Sequence, residues 1–403
     1  MNNIVPIIDS KKTFTPLFFY SDFLDKLVKF YRENRNEEIV FRLFEKGDDE
    51  IFNSSYRIDP ISIPLLLSII EQLSKYHRAP LKLLLNNNHA TLDALEFLYR
   101  ANFFKTISEV KKETKILQYD PNYLGAFKGC TIRKEHIVRS YRKEDFPNID
   151  FDQEDEIYLR DQVNSVTSYH VQNHFQELLF DNEKTSRNHN TYIDILSELI
   201  TNGVIHSKST TYAMMFVDKY HTKFSISDNG IGLRNSLSLK TSFPFYYEKN
   251  EIKSTINLNL GATDKHFVDN LIDIFEILYF SSLKERRGLF DLMINVVIKS
   301  NGYFRLHNDN CQIIISNRIF KYMASLNEMR ESILMLHNLN ELGKLEFEDF
   351  KSRLLEKKAI IKNEFIKIIK STLKYYSGET KFSSIRFYNV KFKGVHVEVE
   401  IPN

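Results

Sequence analysis

The stretch SELITNGVIHS, residues 197–207, places Glu198, Asn202 and His206 at four-residue intervals. On an α-helix, positions four apart stack on one face, so these three side chains would project together into one cleft. Leu199, Ile200, Val204 and Ile205, which lie between them, would then face a core. A carboxylate one turn from an amide oxygen suits phosphate chemistry. The Glu can orient and deprotonate a water, and the Asn oxygen can hold Mg²⁺, a hard ion that prefers oxygen ligands and phosphates. Taken alone, the same stretch also reads as a polar row on the surface of an amphipathic helix.

Two downstream stretches bear on that choice. FSISDNGIGL, residues 224–233, is an alternating strand that runs into Asp228, Asn229, Gly230, Ile231 and Gly232. An aspartate at a strand end can accept a hydrogen bond from an exocyclic amine such as adenine's, and the glycines permit backbone angles that side chains forbid. By itself Asp-Asn-Gly is a hairpin turn signal, but a turn does not explain Gly232 followed by Leu233. In KERRGLFDLMINVVIKSNG, residues 284–302, Gly288 opens a helix at Leu289 directly after Arg286 and Arg287. A helix N-terminus offers unpaired N–H groups and a positive dipole to phosphate, and two arginines would reinforce it. The alternative is a glycine ahead of an ordinary core helix.

The bulk numbers set the frame. At 403 residues and 42% hydrophobic the chain is long enough for two or three globular domains. Its 55 basic and 53 acidic residues leave a net charge of +2, so nucleic acid is not indicated as a partner. Cys130 and Cys311 are too few and too far apart for a disulfide framework, which suggests a reducing compartment. The most apolar run, ISIPLLLSII, is too short to span a bilayer, and the start carries no leader pattern. The expectation is a cytoplasmic protein without a membrane partner.

Along the chain, EEIVFRLF and PLKLLLNN read as strands and SIPLLLSIIEQLSKYH and TLDALEFLYRANFF as helices, which makes residues 1–115 a small α/β domain. Residues 116–154 read as a connector punctuated by Pro and Gly. Helical patterns from residue 155 lead into SELITNGVIHS. AMMFVDKYHTKFSISDNG reads as a hairpin, KHFVDNLIDIFEILYF as a helix, and YFRLHNDNCQIIIS as a second hairpin. Residues 320–376 are helical and rich in Lys and Glu, and SIRFYNV and GVHVEVEIP close the chain as strands. A Walker-type phosphate loop is absent from the sequence, and His170, His174, His189 and His206 lack metal-ligand spacing.

In this order the motifs resemble the GHKL ATPase superfamily, the fold shared by gyrase, a heat-shock chaperone family, MutL and the ATP-binding domains of histidine kinases. ELITNGVIH looks like its N-box, DNGIGL like its first glycine box, RRGLFDLM like its second, and GVHVEVEIP like its last strand. The resemblance covers about residues 155–320 and the final twenty. It implies an α+β sandwich in 155–403, with a nucleotide lid at about 234–285 and a helical insertion at about 320–376. It also implies ATP and Mg²⁺ as cofactors. Glu198 would be the catalytic, water-activating residue and Asn202 the metal ligand. His206, Asp228, Gly230, Gly232, Arg286, Arg287, Gly288 and Leu289 would contact the nucleotide. The stretch 58–104 is similar to STAS-type α/β modules, with an unrelated α/β domain as the alternative.

Two departures stand out. The second glycine box has a single glycine, Gly288, and Val395 stands where many members carry a threonine. The function implied is an ATP-gated switch with slow hydrolysis or transfer of phosphate to a protein serine. The alternative is a nucleotide-binding sensor without turnover, in bacterial signalling or phage defence; a site without nucleotide is a third. Protein partners would dock through the N-terminal domain, the lid or the inserted helices, and a homodimer on ATP binding is a further implication. A phospho-accepting helical hairpin is not identifiable, so histidine kinase activity is not expected.

Overall fold

The computed structural model describes residues 3–9, 11–45, 56–108, 115–129, 136–207, 209–240, 242–256, 262–316, 320–374, 376 and 384–403. Cys130 lies outside the described residues, and Cys311 is buried. The protein is mixed α/β, with one parallel and one antiparallel sheet. It divides into two compact units: residues 1–230 with 388–392 and 403, and residues 231–387 with 393–402. Residues 1–115, 116–154 and the loop residues Asp228, Asn229 and Gly230 thus fall in the first unit, and Ile231 and Gly232 in the second.

In the first unit, short apolar runs make a four-stranded parallel sheet in chain order: β1 (Ile4–Ile8), β2 (Val40–Phe44), β3 (Leu81–Leu84) and β4 (Leu117–Gln118). Parallel neighbours need a crossover. Here the crossovers are helical: α1 (Pro16–Phe18) and α2 (Leu24–Glu33), joined through a wider helical turn at Phe19–Phe23; then α3 (Ile63–His77); then α4 (Leu92–Arg100) and α5 (Phe103–Ser108). Helix α3 is set up by Asp59, whose side chain accepts from Ile61 N at 3.3 Å, and it stops at Arg78 in the left-handed region with φ of 54°. Ile63 to Ile70 are buried without a break, because α3 packs against β3, β6 and β7 at once. A helix apolar all round is a buried helix.

The antiparallel strands β5 (His136–Tyr141), β6 (Thr211–Val217) and β7 (His221–Asp228) place Tyr141 opposite Thr211 and Thr211 opposite Asp228. The expected β6–β7 hairpin turns on Asp218, whose carboxylate accepts from the backbone N–H groups of Tyr220 and His221, each at 2.7 Å. The stretch read as a connector supplies β4 to one sheet and β5 to the other. Its apolar runs are only a few residues long between charged ones, so neither periodicity declares itself in sequence.

Helices α6 (Glu156–His174), α7 (Gln176–Leu179) and α8 (His189–Ser207) follow, with α8 packed on α6, β6 and β7. Asp155 caps α6 by accepting from Ile157 N at 3.0 Å and Tyr158 N at 2.9 Å. Gly203 lets α8 approach the sheet: a Cβ there would lie 2.5 Å from Thr211 Oγ1.

The second unit contains α9 (Gly232–Ser238), α10 (Glu251–Thr255), α11 (Ala262–Leu283), α12 (Leu289–Ile294), β8 (Tyr303–Ile315), α13 (Phe320–Glu341), α14 (Phe347–Lys374) and β9 (Ile385–Pro402), apart from the 388–392 segment of β9. The two closing strands expected from sequence are one element, and β8 and β9 are neighbours. Among the described residues no helix is long and apolar enough to cross a membrane.

Charge is buried between β8 and β9. Arg305 donates to Glu398 Oε2 at 3.1 Å, and His396 Nε2 lies 3.3 Å from Glu398 Oε1. Burial works to raise the Glu398 carboxyl, but His396 and Arg305 prevail and hold it at about 2. Burial lowers His307 to about 3. Each group then binds fewer protons folded than unfolded in acid, so each contribution is intact above its ordinary value and is lost as pH falls toward its folded one. Glu276 and Asp273, raised by burial, act with the opposite sign. A comparison with His307→Gln isolates the histidine. Between pH 6.5 and 4.5 the wild type should lose about 2–3 kcal/mol that the variant keeps, on the order of 5–10 °C in melting midpoint. Parallel midpoint curves for the two proteins across that range would refute this assignment.

Candidate functional site

Glu198 and Asn202 meet on α8 as their spacing requires, and a neighbour joins them. Asn202 Nδ2 donates to Glu198 Oε1 at 2.9 Å. From the first turns of α6, Arg160 donates through Nη1 to Asn202 Oδ1 at 3.1 Å and through Nη2 to Glu198 Oε1. The Arg160 and Glu198 side chains are 18% and 15% exposed, which leaves the pair reachable from solvent. Leu199, Ile200 and Val204 are buried, whereas Ile205 and His206 are half-buried near the helix end. Arg160 is the only lysine or arginine in α6. Nothing in one dimension ties it to a glutamate 38 positions away.

Asp228 closes β7, buried, and its Oδ1 accepts from Gly230 N at 2.7 Å. The next residue is gripped from α3. Asn229 Nδ2 donates to Glu71 Oε2 at 2.7 Å, and Asn229 Oδ1 accepts from Gln72 Nε2 at 2.8 Å. Glu71, 3% exposed, also accepts from the Thr210 hydroxyl at 2.7 Å and the Tyr212 hydroxyl at 2.9 Å, and pairs with Lys75 at 2.8 Å. Burial pushes the Glu71 carboxyl up, but Lys75 and the two hydroxyls outweigh it, and the group ends below the usual range. Ser68 on α3 adds a bond to Ser227 at 2.9 Å. No motif in the sequence marks Glu71. Its one signal is an acid directly after the ten-residue apolar run ISIPLLLSII, with the helix continuing beyond it.

The remaining candidates lie in the second unit. Gly232 begins α9 with φ of +77°, a conformation that favours glycine. The following amide, Leu233 N, donates to Asn308 Oδ1 at 2.9 Å. Gly288 precedes α12 as expected, but its N–H donates to Asp291 Oδ2 at 3.0 Å. Arg330 from α13 binds both Asp291 oxygens, at 3.0 and 2.9 Å, and also the carbonyls of Ser282, Lys284 and Arg286. A protein carboxylate therefore sits where the sequence suggested an anion. Arg286 and Arg287 are exposed and face glutamates of α13, Glu341 at 3.6 Å and Glu331 at 3.3 Å. With His337 and Asn338 they border a cavity of about 250 Å³. Leu289 and Val395 are half-buried, on α12 and β9.

The stretch 234–285, read as a lid, is fastened within its own unit. Glu276 of α11 accepts from Ile252 N of α10 at 2.9 Å and from the Tyr247 hydroxyl at 2.8 Å. Lys358 and Lys362 of α14 pair with Glu251 of α10.

The oxygen donors of Glu198 and Asn202 suit a hard cation, and Asp228 supplies a buried acceptor. The cation nearest those donors is a guanidinium of the chain itself. In comparisons with known proteins, no family model, curated protein or solved structure matches this chain.

Proposed function

We propose that the protein is an ATP-binding regulatory switch of the GHKL kind, with a STAS-like module in its N-terminal part. The observation that carries the reading is the pairing, within one unit, of Glu198 and Asn202 one turn apart on α8 with buried Asp228 at the end of β7, on which α8 packs. Asp228 would accept from an adenine amine and Asn202 Oδ1 would hold Mg²⁺. Bound Mg²⁺ would neutralise phosphate charge. Glu198 would orient and deprotonate the attacking water or a protein serine hydroxyl.

The test is ATP affinity and turnover of wild type, Asp228→Asn and Glu198→Gln. Asp228→Asn should weaken ATP binding by about tenfold or more. Glu198→Gln should keep binding and lower turnover by about 10²-fold or more. Equal turnover for wild type and Glu198→Gln would remove Glu198 from the chemistry.

A second reading, a nucleotide sensor without turnover, is favoured by Arg160, which occupies both the carboxylate and the amide oxygen. It predicts that ATP is recovered intact from the protein.

A further inference from the structure

We propose that Arg160 is a tethered cation that takes the place of the divalent metal, so that the site on α8 receives the phosphates of a metal-free nucleoside triphosphate. This rests on the nucleotide reading above and deepens its second form. Arg160 Nη1 reaches Asn202 Oδ1 at 3.1 Å and Nη2 reaches Glu198 Oε1, and the Asn202 amide donates to that same carboxylate oxygen at 2.9 Å. The two side chains that would offer oxygens to a hard ion therefore already face a full positive charge. Mg²⁺ requires oxygens at about 2.0–2.1 Å in near-octahedral array, and a guanidinium on the same atoms opposes it by charge and by bulk.

The placement of Arg160 is built into the helix packing. Its helix α6 lies along α8, and one turn further on Thr201 Oγ1 of α8 meets Asn164 Oδ1 of α6 at 3.4 Å. A guanidinium carries five N–H groups in a planar fork. Two serve Glu198 and Asn202, which leaves three for phosphate oxygens, and the side chain's 18% exposure lets a ligand reach them. Arginine–phosphate contacts are charge-assisted and often two-pronged, so one residue can replace the neutralising role of the ion. Glu198, held on that guanidinium, then positions the cation rather than a water.

The experiment measures ATP affinity of the full chain by equilibrium dialysis in excess EDTA and in excess Mg²⁺. Wild type should bind in EDTA at least as tightly as in Mg²⁺, whereas Arg160→Met should bind about tenfold or more weakly in EDTA and recover on adding Mg²⁺. Arg160→Lys, which keeps the charge, guards against misfolding of the Met variant and should remain less metal-dependent than it. Wild type that needs Mg²⁺ to bind ATP overturns the assignment, as does an Arg160→Met protein that binds ATP in EDTA as wild type does. Failure of every protein to bind ATP in either condition overturns the nucleotide reading and this inference with it.

Discussion

Glu71→Leu should lower the unfolding free energy of the first unit by about 3–5 kcal/mol, among the largest effects expected of a single substitution in this chain. The leucine fills similar volume but strands three donors that converge on the carboxylate: the Thr210 hydroxyl, the Tyr212 hydroxyl and the Asn229 amide. Each is buried or nearly so, and an unsatisfied buried donor costs about 1–3 kcal/mol. Glu71→Gln keeps one acceptor oxygen and should lose roughly half as much, which separates lost hydrogen bonds from lost charge. Denaturant midpoints for the three proteins decide it. A loss under about 1 kcal/mol for Glu71→Leu would mean that the network is replaced by water. The same substitution bears on the site, because Asn229 adjoins Asp228: with the loop released from α3, ATP affinity should fall even where the protein stays folded.

The elements legible in sequence are those whose signal is local. The β6–β7 hairpin announces itself through alternation and the Asp218 turn, and α8 through the spacing of Glu198 and Asn202 between apolar residues. Gly232 is legible for the same reason, since a backbone angle in the left-handed region selects glycine. What the sequence hid depends on partners distant along the chain. Arg160 meets Glu198 across 38 residues and Glu71 meets Asn229 across 158, and neither pairing leaves a periodic trace. Gly203 reads as part of a helix, although its role is the approach of Thr211. The Gly288 motif shows the reverse problem. Its local signal suggested an anion site, while Asp291, three residues on, satisfies the same N–H from within, fixed by an arginine on a helix more than thirty residues away. A helix N-terminus is filled by whichever anion is best placed, and here the chain carries its own.

That arginine is the second point at which one side chain decides much. Arg330 is 1% exposed on α13 and Asp291 4% exposed on α12, and their contact is two-pronged. Three carbonyls, of Ser282, Lys284 and Arg286, accept from the same guanidinium, so its remaining N–H groups are spent on the turn between α11 and α12. Arg330→Met should therefore lower the stability of the second unit by about 3–5 kcal/mol, because it leaves a buried carboxylate without its guanidinium and removes the bonds that the same group donates to three carbonyls. Asp291→Asn should lose less, since the amide oxygen still accepts from the guanidinium or from Gly288 N. The double variant Arg330→Met with Asp291→Leu should recover part of the loss, as removing both charges avoids the unpaired one. Hydrogen exchange gives the sharper reading: in Arg330→Met the amide of Gly288, which donates to Asp291, should exchange about 10²-fold faster or more, while those of the first unit keep their protection. Unchanged exchange at Gly288 would show that Asp291 caps α12 without help, and that Arg330 is held in place by the turn rather than holding it.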